Sequence, residues 1–145
     1  MQADLPLPDD DARANSERLE ACIRNEIAAE GGSIPFSRFM ECSLYAPGLG
    51  YYSGGSRKFG PGGDFITAPE LTPLFGQALA SQLQQVMRLS APHIIEAGAG
   101  TGLLAADLLL ELELQGALPE SYGILEVSGE LRERQFDTLA AKVPH

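Results

Sequence analysis

The sequence predicts an α/β fold in which N-terminal helices and a long ordered loop lead into a parallel sheet. Two stretches predict it. The first is His93 to Gly102, HIIEAGAGTG, where an apolar run, an acidic residue and a glycine cluster follow one another directly. The second is Ser121 to Ser128, SYGILEVS, another short apolar run that ends in Glu126. A leucine-rich segment joins them, and two strands joined through a helix pair in parallel.

Taken in order, Met1 to Asp11 holds Pro6, Pro8 and three consecutive aspartates, the composition of a disordered leader, taken as residues 1–14. From Asn15 to Glu30 the residues Leu19, Cys22, Ile23 and Ile27 recur at helical spacing, with Ser16 as a possible N-cap and Gly31 as the stop. Ile34 to Tyr45 reads as a second helix, with Pro35 in its first turn and Phe36, Phe39, Met40 and Leu44 along one side. Ala46 to Ala68 is rich in glycine yet contains Tyr51, Tyr52, Phe59 and Phe65, so a long ordered loop is expected, with a hairpin possible around Gly48 to Ser53. Thr72 to Ser90 is the third helix, with Leu74, Phe75, Leu79, Leu83, Val86 and Met87 on a broad apolar face. These helices and the loop form a region expected to span residues 15–90. The sheet region, residues 91–145, begins with a buried strand ending at Glu96 and continues through a helix from Leu103 to Gln115. It ends in the strand that closes at Glu126 and a helix from Gly129 to Lys142, with Leu131, Phe136 and Leu139 inward.

Gly98, Gly100 and Gly102 make the turn out of the first strand. A turn that brings backbone N–H groups against a ligand has no room for a Cβ and often needs positive φ. Strand, glycine turn and helix N-terminus together form a cradle at the carboxyl edge of a parallel sheet, where open α/β sheets bind nucleotides. The spacing narrows the ligand. A dinucleotide fingerprint would need glycine at position 103, which is Leu103, and no lysine follows the glycines as an ATP-binding loop requires. What remains is Glu96 two residues before Gly98, an ExGxG pattern that resembles the S-adenosylmethionine site of class I methyltransferases. A carboxylate there would repel a pyrophosphate but can face a cationic ligand, directly or through water. S-adenosylmethionine, with an ammonium and a sulfonium and no phosphate, fits. Another nucleotide, or a purely structural turn, stays open. Glu126, about 20 residues beyond the turn, is placed to accept hydrogen bonds from ribose hydroxyls.

Twenty acidic against ten basic residues, a formal charge of −10, disfavour a nonspecific nucleic-acid binder. No apolar run reaches the ~18 residues of a membrane span. Cys22 and Cys42 lack metal-ligand spacing and read as buried free thiols in a reducing compartment. The acidic N-terminus resembles neither a secretory signal nor an arginine-rich transit peptide, so the expected location is the cytoplasm; a mitochondrial protein would need a transit peptide. Oligomeric state is not indicated.

The succession FSRFMECSLYAPGLGYY, GDFITAPELTPLFG, IIEAGAGTG and YGILEVS with LRERQ behind it resembles the MidA-type methyltransferases, the family of the mitochondrial complex I assembly arginine methyltransferase and its bacterial relatives. The resemblance covers about Gly31 to Ala140. It implies a Rossmann-like class I methyltransferase sheet, here cut off after its second core strand and helix. It further implies S-adenosylmethionine as cofactor and a protein arginine as acceptor. In GDFITAPE, Gly62 and Gly63 allow a tight approach, and Asp64 and Thr67 could reach the methionine end of the cofactor or the acceptor nitrogen. That makes Asp64 the catalytic candidate and adds Gly63 and Thr67 to the cofactor set; the alternative is that Asp64 caps a turn and Thr67 the next helix. Glu70 suits a cationic acceptor or, more simply, a helix N-terminus. Two rivals remain: a nicotinamide-dependent oxidoreductase, disfavoured by Leu103, and a noncatalytic assembly factor binding a partner through Tyr51, Tyr52 and Phe59.

Overall fold

The computed structural model describes residues 7–55, 58–60 and 62–143. The chain divides into two compact units, Met1–Gly55 and Ser56–His145. The division falls earlier than the expected 90/91 because the helix before the first strand packs within the second unit.

In the first unit, α1 spans Asp10–Ala29 and α2 spans Phe36–Tyr45. The start of α1 corrects the leader: Asp9 is the N-cap, its carboxylate accepting from the Ala12 N–H at 2.7 Å, and Asp10 and Asp11 sit in the first turn. The acidic triplet read as solvated tail is thus a helix start, where negative charge meets the positive end of the dipole; the part of the leader before Leu7 lies outside the described residues. Arg38 of α2 grips the Glu26 carboxylate of α1 with two nitrogens, which lowers the Glu26 pKa. Cys42 is buried, whereas Cys22 is exposed, and both are free. The expected hairpin around Gly48 to Ser53 is absent. The chain instead folds back on the end of α2, with Tyr51 and Tyr52 N–H donating to the carbonyls of Ser43 and Leu44. Gly50 permits this, since a Cβ there would stand 2.6 Å from the backbone nitrogens of Tyr45 and Ala46. Phe36 and Phe39 stack on each other but stay exposed, so the expected apolar stripe is not core within this unit.

The second unit holds a short α3, Ala68–Leu71, then α4, Leu74–Leu89, and the β1–α5–β2–α6 succession His93–Ala97, Leu103–Leu114, Ser121–Leu125 and Gly129–Lys142. The two strands are parallel, with His93 opposite Ser121 and Ala97 opposite Leu125. The expectation of an α/β fold with a parallel strand pair therefore holds. The core is Ala80 of α4 with Leu108 and Leu112 of α5, joined by Leu79, Leu83, Met87, Ile94 and Tyr122. Each fully buried leucine contributes about 1.5–3 kcal/mol. Gly76 lets α4 press onto α5, because a Cβ there would lie 2.8 Å from the Asp107 Cβ. Asp107 is buried as a result, with Lys142 at 3.7 Å.

Two further expectations change. The strands are covered on one face only: Ile94, Glu96, Tyr122 and Ile124 are half-buried, while Ile95 and Leu125 are 73% and 65% exposed. On α6, Phe136 faces outward at 72% exposure and the buried positions are Leu131 and Gln135, one turn apart. No helix among the described residues is long and apolar enough to cross a membrane.

Candidate cofactor site

At the carboxyl end of the strand pair lies a cavity of about 280 Å³. Glu96 of β1 and Gly98, Ala99, Gly100 and Thr101 of the turn form one wall. Phe59, Thr67, Pro69 and Glu70 form the other, and Phe75, Leu103 and Leu104 close the apolar part.

The three turn glycines all have positive φ, 67°, 55° and 82° for Gly98, Gly100 and Gly102. A side chain at any of them would be strained. Their surroundings nevertheless differ. Beside Gly98 nothing stands within 4 Å of where a Cβ would be, so its side of the cavity is open. Gly100 faces the Phe59 ring, 3.7 Å from the same notional atom. Gly102 is packed against α6, a Cβ there falling 3.1 Å from the Gln135 Cα, and it is also the N-cap of α5 with no side-chain cap to occupy the first-turn N–H groups. Gly98 and Gly100 are thus cavity glycines, whereas Gly102 is needed for packing.

Glu96 lies on the covered face of the sheet. Its Oε2 accepts from the Tyr122 hydroxyl at 2.7 Å. Burial raises its pKa above the usual carboxylate range, and the Tyr122 hydrogen bond only partly opposes this; the tyrosine is raised in turn by burial and by Glu96. A half-buried carboxylate with no cationic partner among the described residues is suited to receive a positive group.

Glu126 follows β2 directly, at the same rim as Glu96, since Gly98 N–H donates to the Leu125 carbonyl at 2.9 Å. It does not line the cavity. Its Oε1 accepts from the Ser128 N–H at 2.9 Å and its Oε2 from Gln135 Nε2 at 3.2 Å. The same Gln135 nitrogen donates to the Gly100 carbonyl at 3.0 Å.

The loop ahead of α3 places its predicted residues unequally. Thr67 lines the cavity and, although it is the N-cap of α3, makes no side-chain cap bond. Gly63 does not reach the cavity: a Cβ on it would stand 2.5 Å from the Lys58 carbonyl group, so its closeness is to its own loop. Asp64 is likewise absent from the lining and sits 3.8 Å from Lys58 Nζ, with its side chain 55% exposed. The structure therefore does not bring Asp64, the catalytic candidate, or Gly63 to the glycine turn. Glu70 is brought there, its Oε1 accepting from Thr101 Oγ1 at 2.6 Å. Phe59, Thr101, Tyr122 and Gln135 were not among the predicted site residues. Gln135 alone left a trace in sequence, a polar residue four positions after Leu131 on the inward helical row.

Comparison with known proteins bears on this geometry. A family model described as "Putative S-adenosyl-L-methionine-dependent methyltransferase" matches residues 74–145, from α4 through the whole strand pair. A solved structure from Burkholderia thailandensis, bound to S-adenosyl-homocysteine, superposes with a TM-score of 0.84 at 54% identity, covering 97% of this chain and 38% of that one. Over residues 74–145 the chain is similar to this methyltransferase family. Among curated relatives, the mitochondrial protein arginine methyltransferase NDUFAF7 of Danio rerio is 36% identical over 136 residues, 86% of this chain and 32% of the relative. Its human counterpart is 34% identical over 122 residues. The chain thus spans about a third of the length of the curated relatives it matches. Those relatives are mitochondrial by name, which overturns the cytoplasmic expectation. That expectation rested on the lack of an address in the first residues, and an address is read by receptors independently of the fold.

Proposed function

We propose that the whole protein is an S-adenosylmethionine-dependent methyltransferase acting on a protein arginine. The observation that carries the reading is the pairing of open space at Gly98 with the half-buried Glu96 carboxylate at one sheet rim. The S-adenosyl-homocysteine held by the Burkholderia relative supports the cofactor class, and the name of the curated relatives supports the acceptor.

Bound there, the cofactor supplies an electrophilic methyl group on sulfonium. The chain's own part is to hold and exclude. Glu96 balances the ligand's ammonium, a charge-assisted contact that strengthens as water leaves. Gly98 and Gly100 leave the backbone free of side chains where the ligand lies, and Thr67 offers a hydroxyl at the cavity wall. Phe59, Phe75 and Leu104 keep the site poor in water, so donor and acceptor can be held in line. Glu126, at the same rim though outside the cavity lining, would take the ribose hydroxyls: a carboxylate has about four acceptor positions, and two are filled among the described residues. Gly102 serves through packing, and Asp64 and Gly63 have no part in the transfer. The oxidoreductase alternative gains nothing from the cavity.

Calorimetry of S-adenosyl-homocysteine with the whole protein tests the cofactor; a cooperatively melting protein that takes up no ligand at millimolar concentration overturns it. Mass spectrometry of arginine-containing peptides after incubation with S-adenosylmethionine tests the acceptor, and cofactor binding without any methyl gain favours the noncatalytic assembly factor instead.

A further inference from the structure

We infer that Gln135 is a positioning residue for ribose recognition, holding the Glu126 carboxylate at a fixed distance from the glycine turn. The inference rests on the cofactor reading above. Gln135 is only 3% exposed, although glutamine is mostly a surface residue. Its Nε2 donates both to Gly100 O, at 3.0 Å, and to Glu126 Oε2, at 3.2 Å. An amide nitrogen has two hydrogens, so both are used, one on each ligand-facing element. The backbone of the same residue is what Gly102 packs against. One residue of α6 therefore spans the turn and the strand tip that the fold separates by all of α5.

Two consequences follow from the chemistry. First, Glu126 is fixed at both oxygens, by Ser128 N–H on one and Gln135 on the other, so its remaining lone pairs point in set directions before any ligand arrives. A carboxylate held this way binds hydroxyls without first losing side-chain freedom. Second, the Gly100 carbonyl is turned toward α6 and satisfied there, which keeps that peptide from offering its oxygen to the cavity. Leucine at 135 would fill much the same volume while leaving Glu126 Oε2 and the Gly100 carbonyl without these donors.

The test uses the whole protein and two ligands, S-adenosyl-homocysteine and the same molecule lacking both ribose hydroxyls. Calorimetry is run on the parent, Gln135→Leu and Gln135→Glu. The parent should prefer the hydroxylated ligand. Gln135→Leu should lose about tenfold on that ligand, about 1.4 kcal/mol, and little on the deoxy analogue, so the preference collapses. In Gln135→Glu two carboxylates face each other, and the preference should return only at acidic pH, where one of them is protonated. Equal losses on both ligands, or an undiminished preference at neutral pH in either variant, would overturn the inference and leave the cofactor reading standing. If Gln135→Leu does not melt cooperatively, Gln135→Glu decides by its pH profile alone. A parent that binds neither ligand fails the cofactor reading, and the inference falls with it.

Discussion

Two glycine-rich segments of the second unit, Lys58 to Thr67 and Gly98 to Gly102, look alike in sequence and do opposite things. In the turn, Gly98 has open space where a side chain would go and a backbone conformation that disfavours one. In the loop, Gly63 has no positive φ, but a Cβ added there would stand 2.5 Å from the Lys58 backbone. The first glycine makes room for something outside the chain, and the second makes room for the chain itself. Glycine density says that a backbone comes close to something without saying to what.

That contrast can be broken experimentally, beginning with the largest effect. Gly98→Val in the whole protein should reduce S-adenosyl-homocysteine affinity at least tenfold, about 1.4 kcal/mol, with a strain cost to folding of about 1–2 kcal/mol; calorimetry and thermal melting measure the two separately, and unchanged affinity would make Gly98 another packing glycine. Gly63→Ala should do the reverse, lowering stability by about 1–3 kcal/mol through overpacking while the folded fraction binds nearly as before. A loss of binding larger than the loss of stability would return Gly63 to the site.

Glu96 sharpens the comparison through pH. Its folded pKa is raised, so between the ordinary carboxylate value and that raised value the folded state holds more protons than the unfolded one. Stability contributed by the protonated form is full below the unfolded value and declines as pH climbs through the folded one. A cationic ligand needs the ionised form, so affinity should rise with pH across the same window, with proton release visible as buffer-dependent heats. Glu96→Gln should flatten that profile, stabilise the unliganded protein at neutral pH and weaken binding by up to about tenfold. The smallest effect is expected at the loop: Asp64→Asn, which loosens a long 3.8 Å contact to the half-buried Lys58, should change stability by about 1 kcal/mol or less and leave methyl transfer unaltered. A large fall in turnover would restore Asp64 as catalytic.

Much of this was legible in the residues. The two strands, the helix between them and the placement of Glu96 and Glu126 at one rim followed from short apolar runs ending in acids. The glycine turn beside Glu96 followed from the spacing of Gly98 and Gly100 to it, and both line the cavity. What could not be read was decided by distant packing. Gly102 owes its place to Gln135 of α6, and Asp107 is buried because Gly76 comes so near. Asp64 turns to Lys58 rather than to the turn, and no local pattern encodes which of two charges a loop will choose. The acidic start of α1 was legible in principle, since aspartate at an N-cap is a helix signal, but three in a row beside prolines also describe a solvated tail.

The bare side of the strand pair has a practical consequence. Ile95, opposite Gly123, and Leu125, opposite Ala97, lie on the same open face, with Val127 just past β2 at 66% exposure. Oily strand surface of this kind prefers almost any cover to water. These 145 residues, expressed by themselves, should therefore clump as concentration rises, stick to chaperones and dyes such as anilinonaphthalene sulfonate, and be rescued by mild detergent.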